Sequence, residues 1–90
     1  MQELKQEAQD LYHKIQALEK ALRAELWAEA KQLGVTPLSN HLAYNSAYMK
    51  LVDIMINLDL CNSPNITEPE LKIRFATFKP LALAALEEHA

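Results

Sequence analysis

Residues 4–22 have the sequence LKQEAQDLYHKIQALEKAL, from which the first and longest helix can be predicted. Its apolar residues follow one another at alternating spacings of four and three, at Leu4, Ala8, Leu11, Ile15, Leu18 and Leu22. This heptad spacing is typical of a coiled coil, because it keeps one apolar seam facing a neighbouring helix. Neither Gly nor Pro occurs before Gly34, and both residues are unfavourable inside helices. The pattern therefore predicts a single helix over residues 2–33, ended by Gly34 and Pro37.

A second helix is predicted over residues 39–60, with Ser39 or Asn40 as its N-cap. Its polar residues lie three or four apart and so form one narrow line along the helix: Ser46, Lys50, Asp53 and Asn57. Nearly every other position is apolar, and a helix with so narrow a polar line needs neighbours on most of its sides. We therefore expect this helix to be the central element of the fold.

A third helix is predicted to begin near Glu68. Thr67 and Glu70 form a capping-box signature, and Pro69 is tolerated in the first turn. Its apolar face is formed by Leu71, Phe75, Phe78, Ala82 and Leu86. Pro80 lacks an N–H and crowds the preceding turn, so we expect the helix to kink or break near Phe78–Lys79.

These elements predict an all-α fold in one domain, residues 1–90: a three-helix bundle with a long N-terminal helix, an antiparallel second helix and a Pro-broken third helix. Half of the residues are apolar. We expect this apolar content to exceed what so small and open a shape can bury, because a small domain buries only about 60% of the surface that its unfolded chain exposes. The surplus predicts self-association, as a two-fold dimer with helix 1 or helix 2 in its interface, or cover by another protein. The candidate partner-binding residues are Leu11, Ile15, Leu18, Leu22, Trp27, Tyr44 and Tyr48.

The aromatic candidates each have two interpretations. Tyr44 and Tyr48 lie four residues apart on one helical face, and amphipathic aromatic residues are common at protein–protein hot spots. The same spacing also fits core residues whose hydroxyl groups reach the surface. Trp27 lies off the main seam, where it either covers the end of the second helix or anchors a partner.

The charge and composition exclude several classes of function. Nine basic and twelve acidic residues give a net charge of −3, which does not favour a polyanionic partner. No run of about 18 apolar residues is present, so no membrane-spanning helix is predicted. The first residues are acidic and amphipathic, unlike a signal peptide, and Cys61 is the single cysteine. We therefore expect a cytoplasmic protein.

No catalytic or cofactor site is predicted. The residues that could bind a metal lie on different predicted elements, without ligand spacing: His13, His41, Cys61 and His89. A Cys61–His41 pair would be about 30 Å apart if both residues lay on the second helix. A single Gly leaves no phosphate-binding loop. The chain is therefore expected to be no enzyme and to hold no cofactor or metal.

The octet Ala-Lys-Gln-Leu-Gly-Val-Thr-Pro, residues 30–37, resembles the first helix and turn of helix-turn-helix DNA-binding proteins. The resemblance implies that a recognition helix follows the turn at Gly34. The sequence then departs from the family pattern, because Asn40 occupies the expected core position. Lys50 is the one basic residue of the would-be recognition helix, whereas phosphate contacts need several.

Together, these observations predict a non-enzymatic protein–protein interaction module, such as a small adaptor, chaperone or inhibitor, that acts through exposed helical faces as a homodimer. The alternative is a nucleic-acid-binding regulator that uses the turn at Gly34. A third hypothesis is an enzyme whose site forms between subunits, which would require Arg23 and Arg74 to face one polar cavity.

Overall fold

The computed structural model describes residues 2–34, 42 and 45–89. Three helices account for most of them: α1 (Gln2–Gln32), α2 (Ser46–Leu60) and α3 (Glu68–Glu88). Each helix packs against the other two, and the described residues contain no strand. The predicted all-α three-helix bundle is therefore confirmed.

Helix α1 has the length and the apolar face that its heptad spacing predicts. It ends at Gln32, one residue before the predicted end, and Gly34 follows with a φ of +77°. Only glycine adopts this left-handed conformation readily, so Gly34 ends the helix as expected. The seam lies in the core, where α2 and α3 of the same chain cover it.

Helix α2 runs antiparallel to α1. At one end the Asn62 side-chain amide donates to the carbonyl oxygen of Lys5 at 3.2 Å, and at the other the Tyr48 hydroxyl donates to Glu19 at 2.9 Å. Helix α3 turns back again. Arg74 contacts Asn57 near the C-terminal end of α2, whereas Leu81 and Glu88 line a groove with Lys50 and Ser46 near its N-terminal end. The bundle is thus up–down–up, and α1 and α3 begin at the same end.

The start of α2 differs from the prediction. Asn45 is extended, with φ −89° and ψ 110°, and its side chain accepts a hydrogen bond from the backbone N–H of Tyr48 at 2.9 Å. This N-cap interaction satisfies an N–H of the first turn, so α2 begins at Ser46 and not at residue 39. The predicted N-caps, Ser39 and Asn40, lie outside the described residues.

Helix α3 begins at Glu68 as predicted, since the Thr67 hydroxyl accepts a hydrogen bond from the N–H of Glu70. The expected break is absent, and α3 continues through Pro80 to Glu88. Pro80 and Ala76, whose carbonyl loses its helical donor, both lie on the exposed face of α3. Solvent hydrates free carbonyl groups at such a position, which lowers the cost of the lost hydrogen bond.

The apolar core consists of two clusters. The larger joins all three helices around Ile15, Leu58 and Leu71, which are fully buried. The smaller contains Leu26, Leu42 and Tyr48. The molecule is elongated, with a radius of gyration of 14.9 Å, compared with about 12 Å for a compact domain of this length.

Candidate protein-interaction face

The predicted partner-binding residues do not form one surface. Leu11 and Ile15 are buried between the helices, and Leu18 and Leu22 pack against the core. Leu11 and Ile15 are covered within one chain, and Leu18 and Leu22 are half-buried, because α2 and α3 take the place that a partner helix would have had. The structure therefore corrects the expectation that the seam meets a partner.

The aromatic candidates lie in different environments. Trp27 is 41% exposed, with the Arg23 guanidinium 5.9 Å from the centre of its ring. Tyr48 is buried, with its hydroxyl directed toward Glu19, so the core interpretation holds for its ring. Tyr44 lies outside the described residues.

Glu19 is a buried carboxylate that the sequence analysis did not identify. Its side chain accepts hydrogen bonds from the Tyr48 hydroxyl at 2.9 Å and from Arg23 at 3.2 Å, and the residue is only 7% exposed. Burial, together with the hydrogen bond to Glu19 and its negative charge, raises the pKa of Tyr48 above its usual value. The signal in the sequence was the position of Glu19, four residues after Ile15 and on the buried side of α1. We take this network to be structural, because it joins α1 to α2 at the edge of the smaller cluster.

The exposed apolar surface is concentrated on α2 and α3. Six of the eight large apolar side chains that are exposed among the described residues belong to these helices: Met49, Ile56, Leu60, Ile73, Leu81 and Leu83. On α2, Met49, Ile56 and Leu60 are spaced seven and four residues apart, which places them on one face, opposite the core. The expectation that α2 is covered on most sides is therefore wrong for this chain by itself.

A groove of about 420 Å³ runs between α2 and α3. Its apolar lining is formed by Ala47, Leu51, Ile54, Leu81, Ala84 and Ala85. Polar side chains of both charge signs complete it, including Lys50, Asp53 and Glu88. We call the groove, with the exposed residues Met49, Ile56, Leu60, Ile73 and Leu81, the α2–α3 face.

Arg74 joins the two helices of this face through an amide. Its guanidinium donates to the side-chain oxygen of Asn57, and the amide nitrogen of Asn57 donates in turn to the Asp53 carboxylate at 3.2 Å. Arg74 forms no ion pair with a carboxylate among the described residues. Its Nε is buried without a hydrogen-bond partner. Among the described residues this half-buried cation is held by a neutral amide alone, so the outer N–H groups of its guanidinium can donate to a carboxylate from outside the chain.

The residues considered for catalysis do not assemble. Cys61 is fully buried, its thiol donates to the carbonyl oxygen of Asn57 at 3.4 Å, and burial raises its pKa. A buried, protonated thiol is a poor nucleophile, and His41 lies outside the described residues. In residues 2–34 and 45–89, no three His, Cys, Asp or Glu side chains are grouped so that they could hold a metal ion. Arg23 and Arg74 face different neighbours, Glu19 and Asn57.

None of the described helices has the length and hydropathy needed to cross a lipid bilayer. Comparisons of the chain with protein-family models, with curated proteins and with solved structures found no match. The α2–α3 face is therefore interpreted from its own chemistry: an apolar groove beside an exposed apolar stripe, with charges of both signs and an arginine that forms no ion pair with any described carboxylate.

Proposed function

We propose that this chain is a non-enzymatic protein–protein interaction module, of the adaptor, chaperone or inhibitor kind, that acts in the cytoplasm and associates with itself. The observation that carries the proposal is the α2–α3 face. Single exposed apolar side chains are ordinary on protein surfaces, whereas an apolar groove flanked by several exposed apolar side chains is typical of a binding site. The proposed binding surface thus moves from the seam of α1 to the opposite side of the bundle.

The shape of the groove suits a helical partner. Two antiparallel helices leave a long depression between them, and an amphipathic helix laid in it would complete a four-helix arrangement. Ala47, Ala84 and Ala85 line the depression, and small side chains allow a helix to approach closely. Lys50 and Asp53 at its rim offer charges that would orient the incoming helix.

The proposal is tested by affinity capture with three baits made from the purified chain. The wild type is compared with Ile56→Asp, which places a charge on the α2–α3 face, and with Ala21→Asp, a matched change on the exposed side of α1. Proteins bound by the wild type and by Ala21→Asp but lost with Ile56→Asp would support the proposal. Equal capture by all three baits would contradict it.

A nucleic-acid-binding function through the turn at Gly34 is the competing proposal. The left-handed φ of Gly34 is consistent with it, but Gly34 would equally end any helix in this way. Fluorescence polarisation with a random DNA duplex at low salt separates the two functions, since non-specific affinity comes from phosphate contacts. Salt-sensitive binding by the wild type and by Ile56→Asp alike would favour the nucleic-acid function.

A further inference from the structure

The most exposed part of the α2–α3 face surrounds Ile73, which is 70% exposed. A cleft of about 310 Å³ beside it is lined by Glu70, Ile73, Arg74, Thr77 and Phe78. An isoleucine this exposed keeps most of its apolar surface in water, so the isolated chain gains little hydrophobic free energy from it. It therefore marks a point at which contact with another apolar surface would be favourable.

The exposed side of α3 around Ile73 carries no charge for almost three turns. The exposed residues spaced three and four apart along it are Ile73, Ala76, Thr77, Pro80, Leu83 and Ala84. Charged residues flank this strip and do not interrupt it. Its first part, Ile73, Ala76 and Thr77, can meet the same helix of a second copy about an axis near Ile73, because α3 begins only at Glu68.

The charges at Ile73 are complementary to their own two-fold image. Glu70 and Arg74 lie one helical turn apart, line the same cleft and carry opposite charges. They form no ion pair with each other, because Arg74 is directed to Asn57. When two copies of α3 meet antiparallel about an axis near Ile73, Glu70 of each copy faces Arg74 of the other, since a two-fold contact brings the same patch of both copies together.

The exposed area is sufficient for such a contact. The chain exposes 6071 Å², whereas a compact monomer of its mass exposes about 5,300 Å². The excess of about 750 Å² is close to the roughly 800 Å² that each partner contributes to an interface of standard size.

We propose that a second copy of this chain docks on the α2–α3 face about a two-fold axis near Ile73, with Arg74 of each subunit paired to Glu70 of the other. This inference rests on the self-association in the proposed function and specifies its interface. Ile73 packs against the partner subunit at the centre, and the two ion pairs lie on either side of it. The same contact gives the half-buried guanidinium of Arg74 a carboxylate, which none of the described residues of its own chain provides.

The test is sedimentation equilibrium of two single variants and their mixture. In Glu70→Arg both positions are basic, and in Arg74→Glu both are acidic, so each variant alone opposes like charges across the axis. We expect each to weaken self-association by about tenfold or more relative to the wild type. An equimolar mixture of the two variants restores opposite charges at both contacts, so its affinity should return to within about threefold of the wild type.

Circular dichroism of each variant shows whether the fold is retained. If Arg74→Glu does not fold, Ile73→Asp replaces it as the test, because this side chain is exposed and its substitution should leave the helical signal unchanged while abolishing the dimer. A dimer that none of these variants weakens would overturn the assigned interface and leave the proposed self-association standing. A wild-type chain that is monomeric at millimolar concentration would overturn both.

Discussion

The two isoleucines of α2 provide a matched test of which side of this helix is buried. Ile54 is 6% exposed and belongs to the larger core cluster, whereas Ile56, two residues later, is 55% exposed. Replacing either with Ala removes the same three carbon atoms and makes the same change in helix propensity. The difference between the two variants therefore measures burial alone.

The expected magnitudes follow from the exposures. For Ile54→Ala, the three buried carbons are worth about 2.4 kcal/mol, a residual cavity adds about 1 kcal/mol, and the better helix propensity of Ala returns about 0.4 kcal/mol. The free energy of unfolding should fall by about 3 kcal/mol, and Tm by about 12–24 °C for a domain of this size. For Ile56→Ala, only about half of the 2.4 kcal/mol for burying the three carbons is lost, so the free energy of unfolding should fall by only about 0.7 kcal/mol.

Urea denaturation at micromolar concentration, followed by circular dichroism, is the appropriate assay, because dilution keeps any self-association out of the measured stability. The total stability of a chain of this length is about 5–13 kcal/mol, so a loss of 3 kcal/mol is readily measured. Equal losses in the two variants, or a larger loss for Ile56→Ala, would refute the assignment of α2's inner and outer sides.

Four further outcomes are expected, all measured by chemical or thermal unfolding. Tyr48→Phe should lower the free energy of unfolding by about 1–3 kcal/mol, because it leaves the Glu19 carboxylate buried without its hydroxyl donor; an unchanged stability would mean that the hydrogen bond has no role in the fold. The pKa of Tyr48 is raised in the folded chain, so the contribution of its hydroxyl group to stability is fully present below the unfolded pKa of about 10 and is lost as the pH rises through the folded pKa. The wild type should therefore lose stability in strong alkali more steeply than Tyr48→Phe. Parallel stability curves for the two proteins would contradict this. Asn45→Ala should cost about 1 kcal/mol by removing the N-cap of α2, while Asn45→Asp should cost little, and equal effects would argue against the cap. Pro80→Ala should stabilise the chain, by up to about 3 kcal/mol, because α3 is continuous through this position, and destabilisation would indicate that the proline has a role of its own.

The local features of the fold could be predicted where one short-range interaction determines them. The heptad spacing of α1, the left-handed Gly34 and the Thr67 cap each depend on a few neighbouring residues, and each is present in the structure. The start of α2 could not be placed in the same way. Asn45 competes with earlier N-cap candidates of the same chemistry, and its own hydrogen bond to Tyr48 decides the outcome.

The candidate face could be predicted only in part. The surplus of apolar residues was visible in the composition, but its location depends on which helix faces cover one another, and no local pattern specifies that. The seam residues Leu11 and Ile15 had the clearest apolar spacing and are buried for that reason. Ile73 gave no signal, and Arg74 was considered only together with Arg23, because the position of both residues on this face depends on the crossing of α2 and α3 and on the contact between Arg74 and Asn57.

The proposed binding surface is the uncovered side of α2 and α3. Amide ¹H–¹⁵N NMR spectra recorded from micromolar to millimolar protein concentration test it most directly, because they report residue by residue where contact occurs. Concentration-dependent shifts are expected at Ile56, Leu60, Ile73 and Arg74, with unchanged signals on the exposed side of α1 around Ala21. Shifts centred on α1 and Trp27, with the α2–α3 face unaffected, would contradict it.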